Sequence, residues 1–519
     1  MSWFGDPIIT MSISLCVFFI LGLIKIFHKL WWTPTRLQRL MASQGINGPP
    51  YRLFHGNNKE VSYFRKEATS RPNGLSHDAF RAIFPHVHSW IKIYGRNCVQ
   101  WDGPEPLLII TEPELCKEIL NNKDNMFPKS KLHGYLRKPL GDGLVTTPDG
   151  EKWAKLRKLA NNTFHGESLK CMIPAMVAST ETMLEGWKNH EGKEIEVFEE
   201  FRLLTSDVIS RTAFGSSYLE GKNIFDMLFK ISCLSMKFAS SKPIIPGFSK
   251  FLKSSGESEL EKLEKVIQES IMGIIKARER KAMNGEEDGF GRDFLGLLLN
   301  AHRDMNDNQR ISVDDVVDEC KTLYLAGHES TATLITWTVF LLAHHMDWQE
   351  EARKEVLQLF GKQTPNADGI AELKTMSMII NESLRLYAPA LSIVTRKVKK
   401  EVRLGKYSLP ANLELTIPFL AVHYDPQIWG QDAQLFKPER FSEGIAKATN
   451  DNLGAFLPFG LGPRICAGFN FATTEAKIAL SMILQRYSFT LSPAYVHSPS
   501  QFLTIRPQHG VQVILHSLS

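Results

Sequence analysis

A mainly α-helical body, tethered by one apolar segment at its N-terminus, is the fold the sequence predicts, and three observations carry it. The run Ser312 to His345 holds no proline and a single glycine, with apolar residues at helical spacing. A second helical pattern follows Cys466, through Phe469, Phe471, Ala476, Ile478, Ala479, Leu480 and Ile483. The chain of 519 residues, 43% hydrophobic and 10% aromatic, is large enough to bury a sizeable core as one body or two fused lobes. A net charge of +5 is mild, and no basic tract is interleaved with aromatics, so nucleic acid is not an expected partner. The seven cysteines are odd in number, scattered and without a C-x-x-C pair, the pattern of a reduced, cytosolic set with one functional member.

The N-terminal segment comes first. Pro7 to Ile24 is apolar and uncharged, and with Ile26 and Phe27 it reaches the length needed to cross a bilayer core. A cleaved signal peptide is disfavoured, because the segment is long for one, lacks a basic leader and has no A-x-A-like site after it. Asp6 precedes it, whereas Lys25, Lys29, Arg36 and Arg39 follow it, with Trp31 and Trp32 at interfacial depth. That asymmetry puts the N-terminus in the lumen and the body in the cytosol. Residues 1–30 are therefore read as a transmembrane anchor, 31–51 as a basic, proline-rich hinge broken at Gly45 to Tyr51, and 52–519 as the main domain. Asn161-Asn162-Thr163 and Asn381-Glu382-Ser383 match the glycosylation pattern but are expected in the core, consistent with a body outside the lumen.

Further along, Trp153 and Arg157 stand one helical turn apart, an indole and a guanidinium suited to donating to one anion. The long run from Ser312 is roughly 45 to 50 Å at 1.5 Å per residue, opened by Ser312 with Asp315 three residues on, as in a capping box. Within it Ala326-Gly327-His328-Glu329-Ser330-Thr331 sets a small pair, an acid and hydroxyls in an apolar rod. A glycine there costs about 1 kcal/mol of helix propensity, and a flat cofactor lying against the helix would give it a reason. The plainer alternative has both hydroxyls bonded back to the preceding turn and Glu329 facing water. Glu382 and Arg385 lie three apart on one helix face, and Arg440 follows in Pro438-Glu439-Arg440-Phe441. The adjacent His344 and His345 are expected on different sides of their helix, and no histidine pair has zinc-ligand spacing near carboxylates.

The loop Phe459-Gly460-Leu461-Gly462-Pro463-Arg464-Ile465-Cys466-Ala467-Gly468 delivers one cysteine to the start of a helix, where unpaired amides and the helix dipole are expected to lower its pKa. Such a thiolate suits an axial position on a haem iron. Arg464 is placed to pair with a haem propionate.

The pattern F-x-x-G-x-R-x-C-x-G resembles the haem-binding signature of the cytochrome P-450 family. Four further motifs appear in family order: W-x-x-x-R at Trp153 and Arg157, A-G-x-E at Ala326, E-x-x-R at Glu382, and P-E-R-F at Pro438. The run from Trp32-Thr33-Pro34 to Tyr51 resembles the 72 clan of plant members. The resemblance covers about residues 32 to 519 and implies the P-450 fold, mainly α with a smaller β-rich lobe near the N-terminal third. It places haem b between the long helix and the cysteine loop, iron bound by Cys466. Trp153, Arg157, Ala326, Gly327, Arg396, Phe459, Arg464 and Gly468 are the implied cofactor contacts. Glu329, Ser330 and Thr331 are the implied catalytic residues, acting where the helix is locally distorted. Glu382, Arg385 and Arg440 form an implied structural triad. Three departures stand out. Serine at 330 replaces the usual threonine, Ala388 replaces a proline, and the usual third propionate position falls at Thr395 with Arg396 beside it.

The implied reaction inserts one atom of O2 into a lipophilic terpenoid, steroid or hormone-like molecule, with electrons from NADPH through cytochrome P-450 reductase at the endoplasmic reticulum membrane, as in plant secondary metabolism. A haem-thiolate isomerase or dehydratase, and a non-catalytic haem-containing ligand carrier, are the alternatives. The pocket is expected from residues 127–140, 224–248, 323–331, 390–394 and 498–503, which are apolar apart from Lys129, Lys131, His133, Arg137 and Lys138, a basic loop suited to a substrate carboxylate.

Overall fold

The computed structural model describes residues 7–70, 74, 77–131, 137–216, 218–240, 255–286, 289–306, 310–392 and 395–518. Parts of three expected pocket segments, including His133, lie outside them, as do residues 1–6 of the expected anchor. Helices dominate, and the longest apolar ones pass through the centre. The helix Val313–His344 is opened by Ser312, whose hydroxyl accepts from Asp315 N–H while the Asp315 carboxylate accepts from Ser312 N–H. The capping box expected from the spacing therefore forms. From Thr331 to Ala343 every side chain of this helix is buried, because it is packed against Val197–Phe214 and Phe469–Arg486.

The smaller β portion draws only partly on the N-terminal third expected to hold it. Its largest sheet joins Cys98–Asp102 and Glu105–Ile109 to Glu414–Thr416 and Arg396–Lys397. Only the first pair is a local hairpin; Leu107 to Ile109 pairs in parallel with Glu414 to Thr416. A second sheet unites Glu194–Glu196, Gln512–Ser517 and Tyr487–Leu491. Strand pairing across such sequence distances leaves no local signal, so helical periodicity was legible and sheet partnership was not.

At the N-terminus the helix Pro7–Phe27 continues through one π-type turn, His28–Trp32, into Thr33–Ser43. Its apolar window is not buried against the body at all. Residues 31–51 behave differently from the hinge expected of them. The first part is helical, Met41 and Ile46 are buried, and Val99 N–H donates to Asn47 C=O at 3.1 Å. Two further expectations fail locally. Asn161, the acceptor of the first glycosylation pattern, is exposed on the helix Glu151–Phe164, not in the core. His345 leaves helical geometry, at φ −118° and ψ 79°, so its ring and that of His344 both turn toward His77.

The Glu382, Arg385 and Arg440 cluster is built as expected. Arg385 donates twice to Glu382, at 2.7 Å each, with both side chains fully buried. Arg440 Nε stands 3.5 Å from Glu382 Oε1. Arg385 also donates to the carbonyls of His423 and Ala433, which ties the irregular segment before the cysteine loop to the helix Lys374–Leu386.

Candidate active site

Two features of the backbone present Cys466. A short 3-10 turn, Gly462–Arg464, reverses the chain, and Cys466 N–H then donates to Phe459 C=O at 2.9 Å. Gly462 has φ +74°, and a Cβ there would stand 2.5 Å from Leu120 C=O, so only glycine fits. The helix Phe469–Arg486 begins just beyond, capped by Gly468. The Cys466 side chain is exposed, yet enough protein surrounds it that desolvation pushes the thiol pKa up, against the Gly468 N–H and the Arg157 charge, which pull it down. A group both accessible and desolvated lies in a concavity. The expected lowering of this pKa does not occur, because the helix-start amides do not offset burial.

A cationic cluster stands beside this loop. Arg157 donates to Ile465 C=O, the residue before the cysteine. Arg464 lies over the Trp153 ring at 4.5 Å and donates to Asp149 at 2.7 Å and to Thr147 C=O at 2.9 Å. Arg396 is buried, and its Nε has no hydrogen-bond partner among the described residues. Of the two neighbours in this strand, Arg396 turns inward, whereas Thr395 is half-buried and offers its carbonyl to Ser130 N–H. Lys129, bridged to Arg396 along the backbone, is the fourth cation. Burial, then the charges of Arg464 and Arg396, bring its ammonium down to about 7 despite Asp149. Burial and Arg464 likewise bring Arg396 down to about 10. Positive charge in excess of Asp149, partly buried and with an orphaned donor, fits a ligand carrying two carboxylates. Sequence reasoning assigned Lys129 to a substrate-facing loop and missed Asp149. Of the other loop cations, Lys138 is paired with Glu264 at 2.6 Å and Arg137 with Asp142 at 3.1 Å, so neither is free for a substrate carboxylate.

On the long helix the six-residue motif divides between two faces. Ala326 is exposed, while Gly327 points at the neighbouring helix, where a Cβ would meet Ile209 Cδ1 at 2.9 Å. Close helix packing gives this glycine a reason of its own, beside the flat cofactor expected against the helix. The helix Val313–His344 continues through the motif, where the Thr205 hydroxyl donates to His328 C=O at 3.1 Å. Ser330 donates to Ala326 C=O at 2.7 Å and Thr331 to Gly327 C=O at 3.3 Å, so both hydroxyls are bonded back to the preceding turn.

Glu329 does not face water. It is 3% exposed and accepts both Nε and Nη2 of Arg506, with Thr504 Oγ1 donating at 2.9 Å. Arg202 Nε stands 3.8 Å away. Burial acts to raise this carboxyl, but the Arg506 hydrogen bonds and charge, with His328 and Arg202, outweigh it and hold the carboxyl below the usual range. Arg506 lies over the rings of Phe502, Phe229 and Phe198 at 4.4, 4.6 and 5.6 Å. It comes from the hairpin Pro499–Gln501 with Ile505–Pro507, fastened to the long helix by Trp337 Nε1 donating to Ile505 C=O at 2.7 Å. Nothing within the helix motif announces a partner some 175 residues later.

Comparisons with known proteins bear on the family and the fold. The cytochrome P-450 family pattern matches residues 77–514. The cytochrome P-450 CYP749A22 of Panax ginseng is 56% identical over 97% of this chain and 96% of its own. The 11-oxo-beta-amyrin 30-oxidase of Glycyrrhiza uralensis is 44% identical over 95% of this chain and 94% of its own. Among solved structures, the cytochrome P450DA heme domain superposes with a TM-score of 0.73 at 24% identity, covering 83% of this chain and 92% of that one.

Proposed function

Because the chain belongs to the cytochrome P-450 family and is a haem-thiolate monooxygenase of lipophilic molecules, we propose that Cys466 ligates the iron and that the substrate is a terpenoid or steroid skeleton. The electron source in this reading is NADPH through a flavoprotein reductase, with residues 1–30 anchoring the chain in the endoplasmic reticulum membrane and the body in the cytosol. The observation that carries the assignment is the exposed Cys466 at a helix start, beside a partly buried cluster of cations. Haem bound there supplies the centre at which O2 is split, one oxygen atom going to the substrate and the other to water.

The chain's own residues do the rest. Arg157, Arg396, Arg464 and Lys129 receive the two carboxylates, and the added negative charge raises the depressed pKa values of Lys129 and Arg396. Arg157 also holds the Ile465 carbonyl, fixing the loop that aims the sulfur. Ala326 leaves the exposed face of the long helix open for close approach, and Phe459 and Gly468 shape the loop around the thiol. Ser330 would offer its hydroxyl as a donor beside the haem only by releasing the Ala326 carbonyl, a single rotation about χ1. Glu329 supplies a carboxylate already ionised, and delivering a proton through it requires a shift within the Arg506 and Thr504 hydrogen bonds. The choice of substrate follows the relative named for 11-oxo-beta-amyrin, together with the aromatic group Phe198, Phe229 and Phe502 around Arg506.

Two measurements test the reading. Cys466→Ala is expected to abolish the red-shifted Soret band of the reduced carbon monoxide complex, whereas Cys320→Ala, buried in the long helix, retains it. An unchanged spectrum in Cys466→Ala overturns the ligand assignment. Microsomes carrying the chain and a plant reductase, assayed over a terpenoid and steroid panel, should give NADPH-dependent products heavier by one oxygen atom.

A further inference from the structure

The turn that ends the long helix lets two histidines adjacent in sequence face one point, and His77 meets them there. The ligating nitrogens of His77, His344 and His345 all lie within 4.8 Å of one another. Their ring centroids are 5.6, 5.5 and 5.0 Å apart. Three imidazoles on one tetrahedral zinc ion, with bonds of about 2.0 to 2.1 Å, have nitrogens about 3.3 Å apart and centroids about 5 Å apart. His77 Nε2 and His345 Nε2 already stand at 3.2 Å. His344 is exposed, and a side-chain rotation brings its nitrogen the remaining distance.

We propose that His77, His344 and His345 bind one divalent zinc-type transition-metal ion, with water in the fourth position. The site lies about 20 Å along the helix from Glu329 and shares no residue with the cysteine loop.

A second observation points to the same role. His77 Nδ1 stands 3.3 Å from the Tyr387 hydroxyl, that hydroxyl 3.4 Å from His497 Nε2, and His497 Nδ1 2.8 Å from the Tyr495 hydroxyl. Two assignments of protons satisfy the whole chain, and the one a bound ion selects has His77 Nδ1–H donating to Tyr387, Tyr387 to His497 Nε2, and His497 Nδ1–H to Tyr495. It leaves His77 Nε2 with a lone pair directed at the other two histidines. Partners that fix a ligand's tautomer from behind are the usual support of a metal site. Tyr387 is itself held by stacking on Trp337, at 4.3 Å and 12° between planes. The carboxylates bearing on this region, Asp347 at His345 and Asp78 at Tyr387, favour a cation. Burial, with the neighbouring histidines, keeps His77 down to about 3 and hence neutral. A bound ion would pin the segment at His77 to the end of the long helix.

The rival account is a plain N–H···N hydrogen bond between His77 and His345. The test uses the full-length, haem-loaded chain in detergent, stripped of metal by a chelator and titrated with Zn2+ alone against a chromophoric chelator. The expected result is one tightly held equivalent. His344→Ala and His345→Ala should each weaken it at least 10- to 100-fold, and Tyr387→Phe by roughly 10- to 100-fold. All three variants should keep the carbon monoxide spectrum, which separates metal loss from misfolding. Failure of the parental chain to take up zinc overturns the proposal, as does undiminished uptake by the His344→Ala, His345→Ala double variant, which would put the ion elsewhere.

Discussion

Glu329 has two roles that a single substitution confounds, a buried partner for Arg506 and a proposed proton carrier. Glu329→Gln leaves the Arg506 charge with a neutral partner, a change that costs about 3 to 5 kcal/mol when a buried pair is broken. Arg506→Met keeps contact with the three phenyl rings while removing the charge. The double variant is therefore expected to recover most of the lost thermal stability. If the carboxylate carries protons, its product rate should stay roughly 10²- to 10⁴-fold down, measured as product formed per haem per minute. The sign of the pH effect follows from the depressed carboxyl: Glu329 contributes stability that is present above its unfolded value near 4.5 and is lost as pH falls through the folded value. Glu319 behaves oppositely. Buried on the long helix and accepting from Leu144 N–H, it is pushed by desolvation up to about 8 from 4.5. Between those values the folded chain holds a proton that the unfolded chain has released, so stability falls as pH rises through that window. Glu319→Gln is expected to raise the melting temperature, by an amount that grows from pH 5 to pH 8 in a thermal scan.

At the scale of elements, the long helix is positioned by what packs against its small residues. Gly327 allows Ile209 of the helix Val197–Phe214 to approach, so Gly327→Ala should overpack the contact and cost about 1 to 3 kcal/mol despite the better helix propensity of alanine. Ile209→Ala alone leaves a cavity and is expected to cost about 2 to 5 kcal/mol, but less in the Gly327→Ala background, where the new methyl group fills part of it, and a calorimetric double-mutant cycle reads that coupling. Undiminished stability in Gly327→Ala alone would mean that the two helices separate freely there. The Glu382, Arg385 and Arg440 cluster was legible only through the family resemblance, since an acid and an arginine three apart are by themselves usually a surface ion pair, and the carbonyls of His423, Ala433 and Leu435 that complete Arg385's bonds have no sequence signature.

Across the whole molecule, the unpacked N-terminal helix and the body meet at a few contacts. Tyr51 donates to Leu30 C=O at 2.5 Å and, through its N–H, to Gln38 at 3.0 Å, and Lys29 stands 3.5 Å from Glu105. None of these lies in the core, so deleting residues 1–30 should leave haem binding intact while a smaller fraction sediments with membranes. Soluble protein that has lost all haem would instead make the segment part of the fold. Some membrane association is expected to persist, since Leu40, Leu53 and Phe54 are exposed near the junction.

The sequence by itself determined the helical character, the capped long helix, the apolar leading segment and the cysteine loop, because each depends on residues within a few turns of one another. Periodicity, a capping box and a glycine-rich turn are short-range physics. The tertiary structure alone decided which distant groups complete the site: Arg506 on Glu329, Asp149 on Arg464, Lys129 beside Arg396, and Ile209 against Gly327. It also reversed the expected thiol pKa and turned two neighbouring histidines to one point. Burial, strand register and the backbone at a helix end set these outcomes, and all three arise only when segments far apart in the chain are packed together.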